Sequence, residues 1–387
     1  MPKTHGMDGT LVEPDWPALG SVEVRRLLDR FANLRGSAEI LTVSPRPFSA
    51  AGLVKTPAGP VFVKRHARQV RDREGLAEEH RFMAHLREHG AAVPRVFADV
   101  DGETAIDDGE WTWEVHESAA GLDLYGDALS WTPFRCAQHA RAAGEAMARM
   151  HLAAEGFDVP RRKMRPLVAS FTIFAAKSAP AATQEYIAAR PALAGNPQLW
   201  TCAAVSLERL APFHARLRPL LPDLHPLWTH NDLHSSNLLW SDATEAAHPT
   251  ATIDFGLADR TTAVHGIAHA IERNIVEWLA LVANPKEPDK VPVHFDHLDA
   301  LLQGYESVRP LTPPERAALA PMTAICHFEF ALSEADYFAA ILESEEKARM
   351  AYDGWLVGHA RWFHSDAGRR LLYAIDQWAN AHADAAQ

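Results

Sequence analysis

The sequence predicts an α+β protein of two lobes, a small antiparallel β lobe carrying one helix and a larger, mainly helical lobe. Three observations predict it. From Glu39 the chain runs in short apolar stretches broken by Pro45, Pro47, Gly52, Pro57 and Gly59, the punctuation of strands and turns. One segment of helical periodicity, 71–88, interrupts those strands, and after Ala119 the pattern changes to long helical stretches such as 132–154. A length of 387 residues fits two or three such units. The expected divisions are an extension with a short helix over 1–37, a β lobe with one helix over 38–117, and a helical lobe over 118–387.

Taken in order, 22–34 places apolar residues at Val22, Val24, Leu27, Leu28, Phe31 and Leu34, the spacing of a short amphipathic helix. Strands follow over Glu39–Val43, 52–55 and 60–65, the last two joined by a turn at Thr56-Pro57-Ala58-Gly59. The helix over 71–88 stops at Gly90, with Pro94 soon after. Further strands are expected over 96–100 and 111–116, and 114–121 is the expected connection between lobes. In the second lobe, 237–240 and 250–255 read as two short strands with a loop between them.

Composition excludes several classes of function. Fifty acidic against 38 basic side chains give a formal net charge of −12, which argues against a surface that coats nucleic acid. Hydrophobic residues at 47% and charged residues at 23% argue against disorder. Three dispersed cysteines, Cys136, Cys202 and Cys326, form neither a disulfide framework nor a CxxC zinc motif. The opening residues lack the basic end and apolar run of a signal peptide, and no stretch approaches the length of a membrane span. The cytoplasm is the expected location.

The chemistry concentrates in Trp228-Thr-His230-Asn-Asp232-Leu-His234-Ser-Ser-Asn237, followed by Asp254-Phe-Gly256. In protein kinases a catalytic-loop Asp precedes an Asn by five positions, and a separate Asp-Phe-Gly supplies a metal ligand. Asp232 and Asn237 keep that interval. One carboxylate meets the attacking hydroxyl, while an amide oxygen and a second carboxylate suit Mg2+, a hard cation that takes oxygen ligands. A hairpin between the two short strands would return Asn237 and Asp254 to one end.

Lobe one offers the complement. In Val61-Phe62-Val63-Lys64, alternation puts Lys64 on the face opposite the valines, pointing into a cleft. On the next helix, Leu76, Glu79, Met83 and Leu86 form one stripe, and a carboxylate inside it needs a partner. Lys64 is the expected partner of Glu79. No Walker motif occurs, so the loop over 44–52, with Ser49, is the expected cover for phosphates. His230 and His234, four apart around Asp232, raise the alternative of a zinc hydrolase. In the segment 327–338, the carboxylates of Glu329, Glu334 and Asp336 stand among aromatic residues, Glu329 and Asp336 being the candidates for holding a cationic substrate, and His234 is a third candidate for contact with substrate.

These residues resemble the aminoglycoside phosphotransferase and choline kinase family, the small-molecule branch of the bilobal protein-kinase-like fold, over about residues 40–275. The resemblance implies transfer of the ATP γ-phosphate to a hydroxyl of a small metabolite or aminoglycoside-like acceptor, with ATP and Mg2+ as cofactors. It implies Asp232 as catalytic base, Asn237 and Asp254 as metal ligands, Lys64 as phosphate contact and Glu79 as its partner. Gly266-Ile267-Ala268 stands where such proteins carry an Asp-Leu-Ala that anchors the catalytic loop, so a looser loop is expected. That departure leaves a catalytically weak nucleotide-binding module as the second reading.

Overall fold

The computed structural model describes residues 3–6, 8–163 and 165–383, so the expected ends at 1–2 and 384–387 lie outside the described residues. Helix α1, Ser21–Leu28, is followed by strands β1 (Glu39–Val43), β2 (Ala50–Thr56) and β3 (Gly59–Ala67), helix α2 (Arg73–Glu88), and strands β4 (Ile106–Asp108) and β5 (Trp111–Glu117). The strands make one antiparallel sheet in the order β1-β2-β3-β5-β4. Alternation sorts its faces. Val54, Val61, Val63, Trp113 and Val115 pack against Val24, Leu27, Leu28 and Phe31, so α1 covers one face. Lys64 and Glu114 are direct cross-strand partners on the other, where α2 lies.

The strand expected over 96–100 is replaced by a single bridge from Val96 to His116. Asp99 turns the chain away, because its Oδ1 accepts the Asp101 and Glu103 amides and its Oδ2 is held by Arg30 at 2.7 Å. The edge strand is β4 instead.

The second lobe contains α3 (Ala137–Ala153), α4 (Pro197–Leu217), β6 (Pro226–Thr229), β7 (Leu238–Trp240), β8 (Pro249–Thr252), β9 (Asp259–Thr262), α5 (Ala263–Ile275), α6 (Phe295–Glu306), α7 (Pro313–Ile325), α8 (His327–Asp336) and α9 (Asp366–Ala383). β7 and β8 form the expected hairpin, while β6 pairs with β9. α3 and α6 cross at Gly144 and Gly304, where any Cβ would lie 2.1 Å from a carbonyl oxygen of the other helix. Beyond α8 the wide-turn segments Tyr337–Ile341 and Met350–Gly358 lead to a short helix, His359–Trp362. No helix among the described residues is long and apolar enough to cross a membrane.

Candidate active site

The loop between β6 and β7 is fixed on every side. Asn231, at φ +59°, adopts the left-handed conformation that Asn tolerates better than most residues. Its side chain accepts from Thr229 Oγ1 at 2.7 Å and donates to the Ala169 carbonyl at 3.1 Å. His230 donates Nε2–H to the Ile253 carbonyl and accepts the Asp232 amide at Nδ1. Asp232 Oδ1 accepts from Arg273 Nε at 2.9 Å, and Asn237 Nδ2 donates to the Asp232 carbonyl at 2.8 Å. Burial pushes the Asp232 carboxyl up to about 6, with Arg273 opposing. Its Oδ2 has longer neighbours, Asn237 Nδ2 at 3.3 Å and His234 Nε2 at 3.7 Å.

Across the cleft, Lys64 Nζ donates to Asp254 Oδ1 at 2.8 Å. Burial works to lower the Lys64 ammonium, but the Asp254, Glu114 and Glu79 carboxylates outweigh it and hold its pKa above the usual lysine value. Asp254 is driven the other way, for burial would raise it and Lys64 keeps it well below the usual carboxylate range. Asp254 too sits in the left-handed region, at φ +61°.

The expected Lys64–Glu79 pair does not form. Glu79 is buried as the helical stripe requires, but it faces Arg162 at 3.5 Å. Arg162 also donates to the carbonyls of Gly75 and Gly256, so one guanidinium ties α2 to the Asp-Phe-Gly segment. A buried carboxylate goes to the cation with more donors, and that cation comes from a loop 83 residues further on in sequence.

Asp232, His234, Asn237, Asp254, Lys64 and Ser49 all line one cleft between the sheet and the helical lobe. Glu329 and Asp336 do not. Glu329 accepts the amides of Thr172 and Ile173 at 2.6 and 3.0 Å, and Asp336 pairs with Arg190 at 3.4 Å. The two are seven apart, hence on one stripe of α8, and that stripe is turned away from the cleft. The cleft is lined instead by Phe330 and Glu334, spaced i, i+4 on the same helix. Burial raises the Glu334 carboxyl to about 8, and its Oε2 has no hydrogen-bond partner among the described residues. Arg46, from the loop between β1 and β2, also lines the cleft and donates to Ser236 Oγ at 2.6 Å, bridging the two lobes.

Residues 49–311, well over half of the chain, match the family described as Phosphotransferase enzyme family. The chain belongs to that family. Solved structures of the same fold include an aminopropanol kinase associated with a microcompartment, at 18% identity and TM-score 0.58, covering 91% of this chain and all of its own. An amicoumacin kinase in complex with AMP-PNP, Ca2+ and Ami has 14% identity, TM-score 0.57 and coverages of 89% and 94%. An aminoglycoside phosphotransferase from Alicyclobacillus acidocaldarius has 15% identity, TM-score 0.53 and coverages of 95% and 98%. No curated protein sequence matches.

In this phosphotransferase the looser loop expected from Gly266 is not what the geometry gives. Helix α5 supplies other anchors. His265 Nδ1 lies 3.1 Å from Asn231 Oδ1, Asn274 donates to the Leu233 carbonyl and accepts the Ser235 amide, and Arg273 holds Asp232. Gly266 itself makes room for the His151 ring, whose Nε2 would lie 3.0 Å from any added Cβ. The zinc alternative also finds no support, because both nitrogens of His230 are engaged in bonds to the backbone, and His234 Nδ1 is taken by Ser236. Arg273, Asn274 and Arg46 were not singled out from the sequence, and Glu334 was read only as one of the carboxylates of its segment, behind Glu329 and Asp336. Arg273 and Asn274 follow Glu272 on the stretch that supplies no motif, and only contact with the loop gives them meaning.

Proposed function

We propose that this phosphotransferase moves the γ-phosphate of ATP, with Mg2+, to a hydroxyl of a small-molecule acceptor in the cytoplasm. Residues 38–117 form the nucleotide-binding lobe in this reading, and 118–387 the catalytic and acceptor lobe. The observation that carries it is the convergence of Asp232, Asn237, Asp254 and Lys64 on one cleft. Three free cysteines agree with a reducing compartment.

The donor set suits magnesium. Asn237 spends its amide nitrogen on the Asp232 backbone and keeps Oδ1, while Asp254 gives one oxygen to Lys64 and keeps the other, so two hard oxygen donors remain. The ion, when bound, neutralises phosphate charge. Lys64 holds a phosphate oxygen, and the loop with Ser49 and Arg46 covers the phosphates. Asp232, anchored through Oδ1 to Arg273, presents Oδ2 to the acceptor hydroxyl and takes its proton as the new O–Pγ bond forms. The bond from Pγ to the β,γ-bridging oxygen breaks, and its electron pair leaves with ADP.

Glu334 lines the cleft with Phe330 and Trp131, and although burial raises its carboxyl to about 8, an ammonium group beside it would favour the ionised form, so an amino alcohol or amino sugar is the favoured acceptor. The test is ADP release from ATP and Mg2+ over a panel of amino alcohols, sugars, aminoglycosides and hydroxylated amino acids, with Asp232→Asn as blank. A signal dependent on acceptor and absent from the blank is expected. Silence across the panel with ATP binding intact would replace this reading with a nucleotide-binding module.

A further inference from the structure

Beside Asp232 three side chains link the loop between β1 and β2 to the catalytic loop, and the chain they make ends on a nitrogen at the wall of the cleft. Arg46 Nη2 donates to Ser236 Oγ at 2.6 Å, and Ser236 Oγ lies 2.7 Å from His234 Nδ1. His234 Nε2 stands 3.7 Å from Asp232 Oδ2, and both residues line the cleft. The backbone holds the ring in place, because the His234 amide donates to the Asp232 carbonyl at 2.8 Å and its carbonyl accepts the Asn237 amide at 2.9 Å. Ser236 and His234 are both nine-tenths or more buried.

Counting donors and acceptors fixes the proton on that ring. A guanidinium only donates, so Ser236 Oγ accepts from Arg46 and has one hydroxyl proton to give. Among the described residues Ser236 Oγ bonds to Arg46 and His234 alone, so that proton goes to His234 Nδ1. Nδ1 is then the bare nitrogen and Nε2 carries the hydrogen. The far side of the ring agrees, since the opposite tautomer would set the Nε2 lone pair against the Asp232 carboxylate. Burial, with the cations Arg46 and Arg273, keeps the ring from taking a second proton.

An N–H and a carboxylate oxygen thus stand side by side, too far apart to bond each other. One oxygen atom fits both. Placed about 2.8 Å from each, it donates its proton to Asp232 Oδ2 and accepts from His234 Nε2–H. A hydroxyl combines those two functions on one atom and keeps its second lone pair for phosphorus.

We propose that His234 is a further catalytic residue, whose Nε2–H, aimed by Ser236 and Arg46, fixes the acceptor hydroxyl against Asp232 Oδ2. This role rests on the phosphotransfer reading above. As the O–Pγ bond forms, the hydroxyl proton passes to Asp232 Oδ2, the β,γ-bridging oxygen leaves with its electron pair on ADP, and His234 keeps its own proton throughout. Ser236 and Arg46 are positioning residues. Since Arg46 belongs to the loop between β1 and β2, the nitrogen is aimed when that loop is seated on the helical lobe.

Two measurements test the role, the first without turnover. In full-length protein labelled with nitrogen-15 in its histidines, His234 is assigned by its absence in His234→Gln or its shift in Ser236→Ala. Nδ1 should be bare and Nε2 protonated; the Nδ1–H tautomer overturns the inference and leaves the phosphotransfer reading standing. The second measurement is initial rates with whichever acceptor of the panel releases most ADP. His234→Ala should lower kcat/KM for that acceptor about 10–100-fold, with the equilibrium affinity for ATP within about twofold of the unaltered protein. His234→Gln, whose amide brings an N–H to the same place, should recover most of the loss, as should free imidazole added to His234→Ala. A loss that neither repairs makes His234 structural only and overturns the proposal. Should His234→Ala not fold, Ser236→Ala, smaller by one oxygen, carries the kinetic test: a fall of about 3–10-fold in kcat/KM for the acceptor is expected, and an unaltered value refutes the aiming. A panel silent throughout ends the phosphotransfer reading and this role together, whereas the wrong tautomer ends this role alone.

Discussion

Two buried histidine and carboxylate clusters back the two walls of the cleft, and they are built differently. Behind Lys64, Glu114 accepts from His66, His80 and His116 at 2.9, 2.8 and 2.7 Å, so a proton lies along every contact. Behind Asp232, Glu272 stands 3.4 and 3.6 Å from its two histidines, with orphaned atoms on all three side chains. The first is a finished hydrogen-bond hub whose negative charge helps keep Lys64 cationic. The second is looser, and its carboxylate is held by Arg273, which donates to Glu272 Oε2 at 2.9 Å. Residue types alone do not separate the two; contacts longer by 0.5–0.9 Å do.

The largest effect should come from breaking the acceptor wall itself. Asp232→Asn removes the proton acceptor and should lower kcat by about 10²–10⁴-fold. ATP affinity and the melting temperature should stay close to those of the unaltered protein, which separates chemistry from folding. Breaking the opposite wall with Lys64→Met should lower kcat/KM for ATP by about 10²-fold. Initial rates at varied ATP and fixed acceptor check both.

The two clusters are then set against each other by stability. Glu114→Gln leaves three histidines facing a poorer acceptor and should cost about 1–3 kcal/mol in a urea titration. Glu272→Gln weakens a single short contact, the one to Arg273 Nη1 at 2.9 Å, and should cost less than Glu114→Gln. Equal losses in the two variants would erase the distinction drawn between the clusters.

What could be read from the sequence follows the range of the interactions. Asp232, Asn237 and Asp254 were legible because a five-residue interval and a tripeptide are local, and the β7–β8 hairpin that unites them is local too. Lys64 was legible from strand alternation. Partners drawn from far along the chain were not. Arg162 took Glu79 from Lys64, and nothing near Glu79 announces it. The α8 segment was right as a place and wrong as a face, since Glu329 and Glu334 are both acidic residues among aromatics and only the rotation of the helix distinguishes them. The strand expected over 96–100 stops short because Asp99 turns the chain, its Oδ1 accepting the Asp101 and Glu103 amides that follow. Gly266 was correctly seen as lacking a carboxylate, but the anchors that replace it, His265, Arg273 and Asn274, flank it on a helix with no motif of its own.

The smallest effect tests whether Arg273 tunes Asp232 as well as positioning it. A proton acceptor works only when ionised, so the rate should fall as pH drops through the Asp232 pKa, which burial has raised to about 6. Arg273 opposes that rise by favouring the carboxylate. Removing its charge with Arg273→Gln should therefore move the acidic limb of kcat/KM to higher pH, making the variant's deficit largest near pH 6 and smaller near pH 8. Arg273→Lys keeps the charge without the planar fork, and should return the limb toward its original position while leaving the rate on the plateau reduced. A limb that stays in place in both variants would mean that Arg273 only holds Asp232 in position, and that the cluster behind it reaches the cleft through geometry rather than through charge.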